Sequence, residues 1–412
     1  MKTSPAEPTV TSTPFLFAKL VVESEVVKPD VLDKKQPIVI IGLHGWEPKI
    51  VQGFVKLDSN KFCVKMAEAI RLKLKLGPNE GDITSIPLDG YGTILGRYEN
   101  YLKKIKGDKT KCDKIKNAKA LFVVAHSQGV PVSVLLMQKL IEDGLVNPDQ
   151  QKICACLMAS ISQGPNPRFD VGGELAKIVG DDHTAGMFEL QTSSSKISQT
   201  YRDATMNLLK RGVKFVYFAS GNDEAVPLHS ALYSNMDHPS IKRGIYVAGY
   251  VYEEKKFIAA LISILLRIRN NNHSDHGLLV LLSDSLIGYL KDGGHTHLHE
   301  EPDAYKYAFD HLNSKEEYKD IDAKFTEFDY KLPEKPHMTY VPWAMRGLLS
   351  DEKTIISEKL SSDFRELRNN FKTWSPRPLD LVANELKCVL QPFGDDTEAR
   401  YIDVYQDTMS RL

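Results

Sequence analysis

The chain has 412 residues, of which 42% are hydrophobic and 26% are charged. Such a chain can bury a substantial core, either as one large domain with insertions or as two domains. The formal net charge of −1 gives no electrostatic case for binding nucleic acid, and five cysteines at this length do not indicate a disulfide framework.

The sequence carries no pattern for secretion or for membrane insertion. Residues 1–26 lack the basic-then-apolar pattern of a secretory signal. The longest apolar stretch, 257–266, is followed by Arg267 and Arg269 and falls short of the roughly 20 residues that a membrane span needs. The sequence therefore predicts a cytoplasmic protein.

In the first half of the chain, apolar runs alternate with segments of helical periodicity. Residues 1–16 are rich in Pro and Thr, and we expect them to form a mobile tail. The run 37–43 is continuously apolar, which is typical of a strand covered on both faces. In chain order, the pattern predicts a strand at 17–27, a strand at 37–43, a helix containing 64–70, a strand at 82–88, a helix at 93–105, a strand at 120–124, a helix at 130–141 and a strand at 153–159.

Residues 161–196 interrupt this alternation with Gly, Pro and Ser clusters, and are predicted to form an irregular insertion. The alternation resumes with a helix at 199–209 and strands at 213–219 and 241–248. We therefore expect an α/β fold with a mostly parallel central sheet and helices on both faces. Beyond residue 300, helical periodicity and charged stretches dominate, as at 301–312 and 352–371. The predicted organisation is an α/β domain at 17–312 and a helical carboxy-terminal extension at 313–412 packed on that domain.

Cys154 and Cys156 lie two residues apart in the predicted strand at 153–159 and are expected to face one side of it. We interpret them as buried small hydrophobic side chains rather than as metal ligands or a disulfide.

Residues 125–129, Ala-His-Ser-Gln-Gly, stand between a predicted buried strand and a predicted buried helix. A sharp strand-to-helix turn exposes the serine hydroxyl at the edge of the sheet, and small residues at 125 and 129 permit the turn. The N–H groups that open the helix favour negative charge beside Ser127. Ser127 is therefore a candidate nucleophile, although a serine in an ordinary α/β turn gives the same five-residue pattern.

This segment resembles the nucleophile elbow of the α/β-hydrolases, with Ala125 in place of the usual first glycine. The resemblance covers roughly residues 35–310 and implies the α/β-hydrolase fold, with the insertion at 161–196 as a lid or cap over the active site. More narrowly, the segments 125–136, 216–229 and 274–294 resemble those of fungal intracellular α/β-hydrolase proteins.

The resemblance implies a catalytic triad in the chain order Ser, Asp, His. Asp223 lies just past the predicted strand at 213–219, where the family places the acid, and Glu224 is the alternative acid. His295, in the segment Gly-Gly-His-Thr-His-Leu-His-Glu-Glu-Pro, stands at the position of the general base. His276 is the alternative base, because it comes sooner after the last predicted strand.

His44, Gly45 and Trp46 directly follow the predicted strand at 37–43, at the position from which α/β-hydrolases contribute one oxyanion-hole N–H. The implied donors are the backbone N–H groups of Trp46 and Gln128. His44 is expected to support this loop, whereas Trp46 either lines the acyl pocket or caps the core. His44, Trp46 and His126 are the candidates for substrate-pocket residues.

The resemblance implies a serine hydrolase, esterase-like or lipase-like, that cleaves carboxylic esters through an acyl-enzyme. We expect neither a metal nor an organic cofactor. His295, His297 and His299 invite a metal interpretation, but no nearby Cys or acidic triad fixes a metal geometry. The expected partner is a small-molecule or lipid ester, and peripheral membrane contact and the oligomeric state are left open.

Three other functions are compatible with the same residues. An acyltransferase passes the same acyl group to an alcohol instead of water, and a thioesterase cleaves a thioester through it. A non-catalytic scaffold or receptor is disfavoured, because binding alone has no need for Ser, Asp and His together. The apolar segments 257–266 and 278–282 either border an acyl pocket or pack against the sheet, and we favour packing.

Overall fold

The computed structural model describes residues 32–45, 58–164, 190–221, 223, 225–246, 256–282, 294–315, 318–327, 340–351, 358–376, 384, 386–388, 390 and 391. The predicted tail at 1–16, the predicted strand at 17–27 and most of the predicted insertion at 161–196 lie outside these residues, as does the end of the predicted extension at 392–412.

The central feature of the fold is a six-stranded sheet. The strands of the described chain are β1 (Ile38–Leu43), β2 (Ile83–Leu88), β3 (Ala120–His126), β4 (Lys152–Met158), β5 (Lys214–Ser220), β6 (Met236–Asp237), β7 (Ile241–Tyr246) and β8 (Lys324–Phe325). The main sheet has the order β2-β1-β3-β4-β5-β7, and all its neighbouring strands are parallel. Every residue of β1, β3, β5 and β7 is buried, as the sheet is covered on both faces. The predicted α/β architecture is confirmed.

Helices form the outer layers. They are α1 (Ser59–Leu74), α2 (Ile94–Lys106), α3 (Lys109–Asn117), α4 (Gly129–Glu142), α5 (Lys196–Lys210), α6 (Leu228–Ala231), α7 (Lys256–Asn270), α8 (Leu278–Leu281), α9 (Gly294–His297), α10 (Pro302–Asn313), α11 (Tyr340–Leu349) and α12 (Glu358–Thr373), with a 3-10 turn at Leu298–Glu300.

The two faces of the sheet carry separate cores, because successive side chains of a strand point to opposite faces. On one face, Phe62 of α1 and Phe309 of α10 pack with Phe122 of β3. On the other face, α2, α4, α5 and α7 cover the sheet, and Tyr101 and Tyr201 belong to that core. The helices thus hold each strand from both sides and fix where its carboxyl end lies.

A buried lysine joins β5 to α10 at the amino edge of the sheet. Lys214 is 7% exposed, and its Nζ donates to the carbonyl oxygens of His311 at 3.0 Å and Ser314 at 2.8 Å, and to the Ser314 hydroxyl at 2.8 Å. The last carbonyl groups of a helix lack intrahelical partners, so a cation there satisfies them. This contact anchors the helix that follows the His295 segment.

Several elements differ from the prediction. Helix α3 was not predicted, because Ile115 is its only buried residue and the segment has no apolar stripe. Helix α5 begins at Lys196, inside the segment predicted as irregular, since the Ser195 hydroxyl caps it by accepting from the Ser198 N–H. Strands β6 and β8 form an antiparallel pair, so the predicted helical extension also contributes a short strand.

The apolar segments at 257–266 and 278–282 pack into the core. In α7, Phe257 and Leu261 are at most 1% exposed, and Leu278 and Leu279 of α8 are fully buried. The described helices α11 and α12 lie against α8 and α7, where the Phe257 ring stacks on Trp374 with ring centroids 4.9 Å apart. This agrees with the packing interpretation rather than with an acyl pocket.

Among the helices that the structure describes, none is both long enough and apolar enough to cross a membrane.

Candidate active site

Ser127 occupies a strained turn between β3 and α4. Its φ is 55°, a left-handed backbone conformation that is uncommon for a residue other than glycine. Its N–H donates to the Met158 carbonyl at 2.9 Å, and its carbonyl accepts from the Val130 N–H at 3.0 Å. Helix α4 begins two residues later, so the N–H groups of its first turn, which lack intrahelical acceptors, adjoin the serine.

Two glycines allow the loop after β1 to approach this turn. A Cβ on Gly129 would lie 2.4 Å from the His44 carbonyl oxygen, and a Cβ on Gly45 would lie 2.8 Å from Cβ of Ser127. Neither separation is tolerated by a real side chain, so both positions need glycine. The end of the β1 segment is thereby packed directly against the candidate nucleophile.

Asp223 follows β5 and is 5% exposed. One carboxylate oxygen accepts from the backbone N–H groups of Ala225 and Val226, each at 2.8 Å. Nδ1 of His295 lies 2.9 Å from the other oxygen and 3.1 Å from the first. Because a carboxylate only accepts, Nδ1 carries the proton, which leaves Nε2 of His295 as the basic nitrogen.

His126 connects the His295 segment to the serine turn. Its Nε2 lies 2.8 Å from the His295 carbonyl oxygen, and the two rings have centroids 4.7 Å apart. Since a carbonyl oxygen only accepts, Nε2 of His126 donates. Burial, followed by the charge of His295, lowers the pKa of His126 well below its usual value, so the ring stays neutral.

His44 holds the loop after β1. Its Nε2 accepts from the Gly90 N–H at 3.3 Å, and its Nδ1 therefore donates to the Gly45 carbonyl at 2.6 Å. Burial, followed by the charge of Arg97, lowers the pKa of His44 to about 4, so this ring is also neutral. The predicted loop support agrees with these contacts. The burial of His44 and His126, each 1% exposed, does not favour their predicted pocket roles.

Arg97 and Tyr101 belong to the same site, although the sequence did not point to them. Arg97 of α2 is 1% exposed and donates to the carbonyl oxygens of His44 at 2.6 Å and Gly45 at 3.2 Å and to Oε1 of Gln128 at 2.8 Å. The Tyr101 hydroxyl contacts the same guanidinium at 3.1 Å. One signal was available: residues 94, 97, 101 and 105 follow helical spacing and are all buried, so Arg97 lies on the core face.

The remaining candidates lie elsewhere. Nε2 of His276 faces Asp351 at 3.4 Å, and its ring adjoins Gly347 of α11, so the structure does not bring it to Asp223. Trp46 and Glu224 lie outside the described residues. Of the three neighbouring histidines, His297 is exposed and His299 is buried.

Within the described ranges, no group of three or more His, Cys, Asp or Glu side chains is arranged to hold a metal ion.

A cavity of about 630 Å³ lies at the opposite edge of the sheet. It is lined in part by Lys152 and Lys214, which begin β4 and β5, and by Leu312 and Tyr318. The candidate site is instead at the carboxyl ends of the strands, which is where open α/β sheets bind ligands.

A family model described as the YMC0/YMC35 alpha/beta hydrolase domain matches residues 18–352. The chain belongs to this family. Its membership confirms the resemblance to the α/β-hydrolases that Ser127, Asp223 and His295 carried, and it supports a hydrolase activity. No curated protein matches this YMC0/YMC35-type chain.

Several solved structures are similar to this YMC0/YMC35-type hydrolase at low identity. Phospholipase PlaB from Legionella pneumophila is 13% identical, with 61% of this chain and 63% of that chain covered and a TM-score of 0.35. The lin2722 gene product of Listeria innocua is 14% identical, with 70% and 97% covered and a TM-score of 0.37. Est1E from Butyrivibrio proteoclasticus is 17% identical, with 58% and 88% covered and a TM-score of 0.32. The chain spans less than two thirds of the length of PlaB. In the structure of PlaB in complex with thio-NAD, 38% of the PlaB chain is covered.

Proposed function

We propose that this protein is a serine hydrolase that cleaves carboxylic ester bonds through Ser127, His295 and Asp223. The observation that carries the proposal is the contact between Asp223 and Nδ1 of His295, which is 2.9 Å long. His126, the residue before Ser127, donates to the His295 carbonyl and so joins this pair to the serine turn. A nucleophile, a base whose Nε2 carries no proton and an orienting acid are the parts that acyl transfer needs.

In the proposed reaction, Oγ of Ser127 attacks the acyl carbonyl carbon while Nε2 of His295 takes the hydroxyl proton. The backbone N–H groups of Gln128 and Trp46 are the proposed donors to the resulting oxyanion. Collapse of the tetrahedral intermediate breaks the ester C–O bond, and the imidazolium returns its proton to the leaving alcohol. Asp223 keeps the imidazole in the required tautomer and stabilises its cationic form.

Hydrolysis of the acyl-enzyme repeats these steps with water. Nε2 of His295 takes a proton from the water as its oxygen attacks the acyl carbon, and then returns a proton to Oγ of Ser127 as the acid leaves. An alcohol in place of water makes the same intermediate an acyl donor, and a thioester enters by the same first step. Product analysis therefore separates the ester hydrolase from the acyltransferase and the thioesterase.

The deciding experiment combines a fluorophosphonate probe with p-nitrophenyl esters of graded chain length. We expect the probe to label Ser127 in the intact protein, and Ser127→Ala to lower ester turnover by about 10⁴–10⁶-fold without unfolding the chain. Ser133→Ala is the matched control, because Ser133 is a buried serine of α4, the helix that follows Ser127, and its hydroxyl donates to the Val130 carbonyl. Absence of labelling, or equal turnover in wild type and Ser127→Ala, contradicts the proposal.

A further inference from the structure

One guanidinium contacts both halves of the proposed oxyanion site. Arg97 donates from one nitrogen to the Gly45 carbonyl and to Oε1 of Gln128, and from another to the His44 carbonyl. These three acceptors come from two segments, the loop after β1 and the residue after the candidate nucleophile. Tyr101 also holds the guanidinium, because its hydroxyl accepts a hydrogen bond from Nε of Arg97 at 3.2 Å.

The geometry points to Arg97 as a positioning residue that fixes the backbone N–H of Gln128 and holds the loop after β1 beside it. This inference rests on the proposed function and adds to it a residue that touches neither the acyl group nor the triad.

The loop after β1 is fixed at its Gly45 carbonyl. Arg97 donates to this carbonyl at 3.2 Å, and His44 donates to it from a second direction at 2.6 Å. Gly45 adjoins the serine turn, because a Cβ at this position would lie 2.8 Å from Cβ of Ser127. Two donors on one oxygen define the direction of the carbonyl, and they therefore hold the end of this loop against the serine turn.

The Gln128 N–H is fixed through the side chain of the same residue. Oε1 of Gln128 accepts from Arg97 at 2.8 Å, and within the described residues Nε2 of Gln128, which is buried, has no hydrogen-bond partner. Arg97 is thus the polar contact that orients this amide. Because Gln128 is fully buried at the start of α4, holding its side chain also holds the backbone N–H beside Ser127.

The positive charge of Arg97 also favours the formation of the oxyanion. Its acceptors among the described residues are two carbonyls, an amide and a phenol, so these partners do not neutralise the guanidinium. A cation in a buried site raises the electrostatic potential around it more than one in water does. Negative charge appears on the acyl oxygen only as Ser127 attacks, so this potential favours the transition state over the bound ester.

The experiment measures the rate at which a fluorophosphonate labels Ser127, together with kcat and KM for a p-nitrophenyl ester. We expect Arg97→Ala to slow labelling and to lower kcat by about 10²-fold, comparable to losing one oxyanion donor, with KM changed by less than about threefold. Arg97→Lys keeps the charge without the planar fork and should recover part of the rate. Methylguanidinium in the buffer should accelerate ester hydrolysis by the Arg97→Ala variant but not by the Ser127→Ala variant.

Arg243→Lys is the matched control. Arg243 is also 1% exposed and donates to backbone carbonyls, those of Leu232, Tyr233 and Met236, but it belongs to β7. We expect it to lower thermal stability while its labelling rate stays within about twofold of wild type. If Arg97→Ala does not fold, Arg97→Lys and Tyr101→Phe carry the test, with intermediate losses of kcat expected.

The outcomes separate the two ideas. If wild type is not labelled at Ser127, the proposed function fails, and the role of Arg97 fails with it. If wild type is labelled and folded Arg97→Lys and Tyr101→Phe react at the wild-type rate, only the role of Arg97 is overturned. A loss confined to KM, or a loss that Arg243→Lys reproduces, also overturns it.

Discussion

Nε2 of His126 donates to the backbone carbonyl of His295 at 2.8 Å, across 169 residues of sequence. His126 directly precedes the candidate nucleophile, so this one hydrogen bond joins the segment of the proposed base to the serine turn. The ring remains neutral because burial lowers its pKa, and a neutral ring adds no positive charge beside the imidazolium that His295 forms during catalysis.

Removing this donor should loosen the base. In His126→Phe, an aromatic ring still fills the site but the His295 carbonyl loses its partner. We expect kcat to fall by about 10–100-fold with a smaller change in KM, because small displacements of a catalytic group are costly. The ester assay checks this, and the substitution His311→Gln, at a buried histidine in α10, is the control. An unchanged kcat in a folded His126→Phe protein contradicts the positioning role.

The sequence predicted the sheet well because parallel strands buried on both faces are continuously apolar. The runs around β1, β3 and β5 contain little besides large apolar residues, and each predicted strand overlaps the observed one. The chain order of Ser127, Asp223 and His295 came from the resemblance to the α/β-hydrolases. Ser127 and Asp223 were also found because each comes just after a recognisable apolar strand.

The elements that escaped prediction depend on contacts between distant residues. The two-residue strands β6 and β8 pair across about 90 positions, and two residues carry no periodicity. Arg97 lies in a helix that was predicted, but its meaning depends on carbonyls of the loop after β1 and on Gln128. A single sequence gives no signal for which buried carbonyl groups need a donor.

Lys214 should stabilise the fold through α10. In Lys214→Met, the Ser314 carbonyl loses its lysine donor, whereas the His311 carbonyl keeps the N–H and the hydroxyl of Ser314 as donors. A buried acceptor that loses its partner costs roughly 1–3 kcal/mol, so we expect the free energy of unfolding to fall by about 1–3 kcal/mol. Denaturant unfolding measures this change.

Lys210→Met is the matched control, because the half-exposed Lys210 pairs with Asp322 at the surface. Surface ion pairs contribute at most about 1 kcal/mol, so this variant should stay near wild type. Equal losses in the two variants show that the carbonyl contacts of Lys214 have no special role.

Mild acid should destabilise the protein through its buried histidines. Burial, followed by the charge of Arg97, lowers the pKa of His44 to about 4, and burial, followed by the charge of Lys214, lowers that of His311 to about 3. An unfolded histidine has a pKa of about 6.5, so the unfolded chain binds more protons below that pH. The stability these rings contribute is present above pH 6.5 and is lost as the pH falls toward 4 and 3.

Each such histidine changes the free energy of unfolding by about 1.4 kcal/mol per pH unit at full slope. Denaturant unfolding between pH 6 and 5 measures this slope above the range where most carboxylates titrate. We expect His311→Gln to reduce the slope by about that amount and Lys210→Met, a surface substitution that removes no histidine, to leave it unchanged. A slope that is the same in wild type and His311→Gln contradicts the assignment.

The cysteines report on the packing of the central strand β4. Cys154 and Cys156 are free and fully buried, as the sequence predicted, and burial raises the pKa of Cys154 to about 12 and that of Cys156 well above its usual value. Thiolates are the reactive form, so both should resist alkylation at pH 8 while Cys388, which is exposed, reacts first. Because β4 lies between β3 and β5, these two thiols become accessible only when the sheet opens.

Iodoacetamide labelling followed by peptide mass spectrometry tests this order of reactivity. We expect Cys388→Ser to abolish the fast phase and to leave the labelling of Cys154 and Cys156 confined to denaturing conditions. The partly exposed Cys112, whose Sγ donates to the Ile105 carbonyl, should react at an intermediate rate. Modification of either β4 thiol at a denaturant concentration that leaves the fold intact requires local opening of the sheet beside Ser127, since Met158 at the end of β4 accepts the serine N–H.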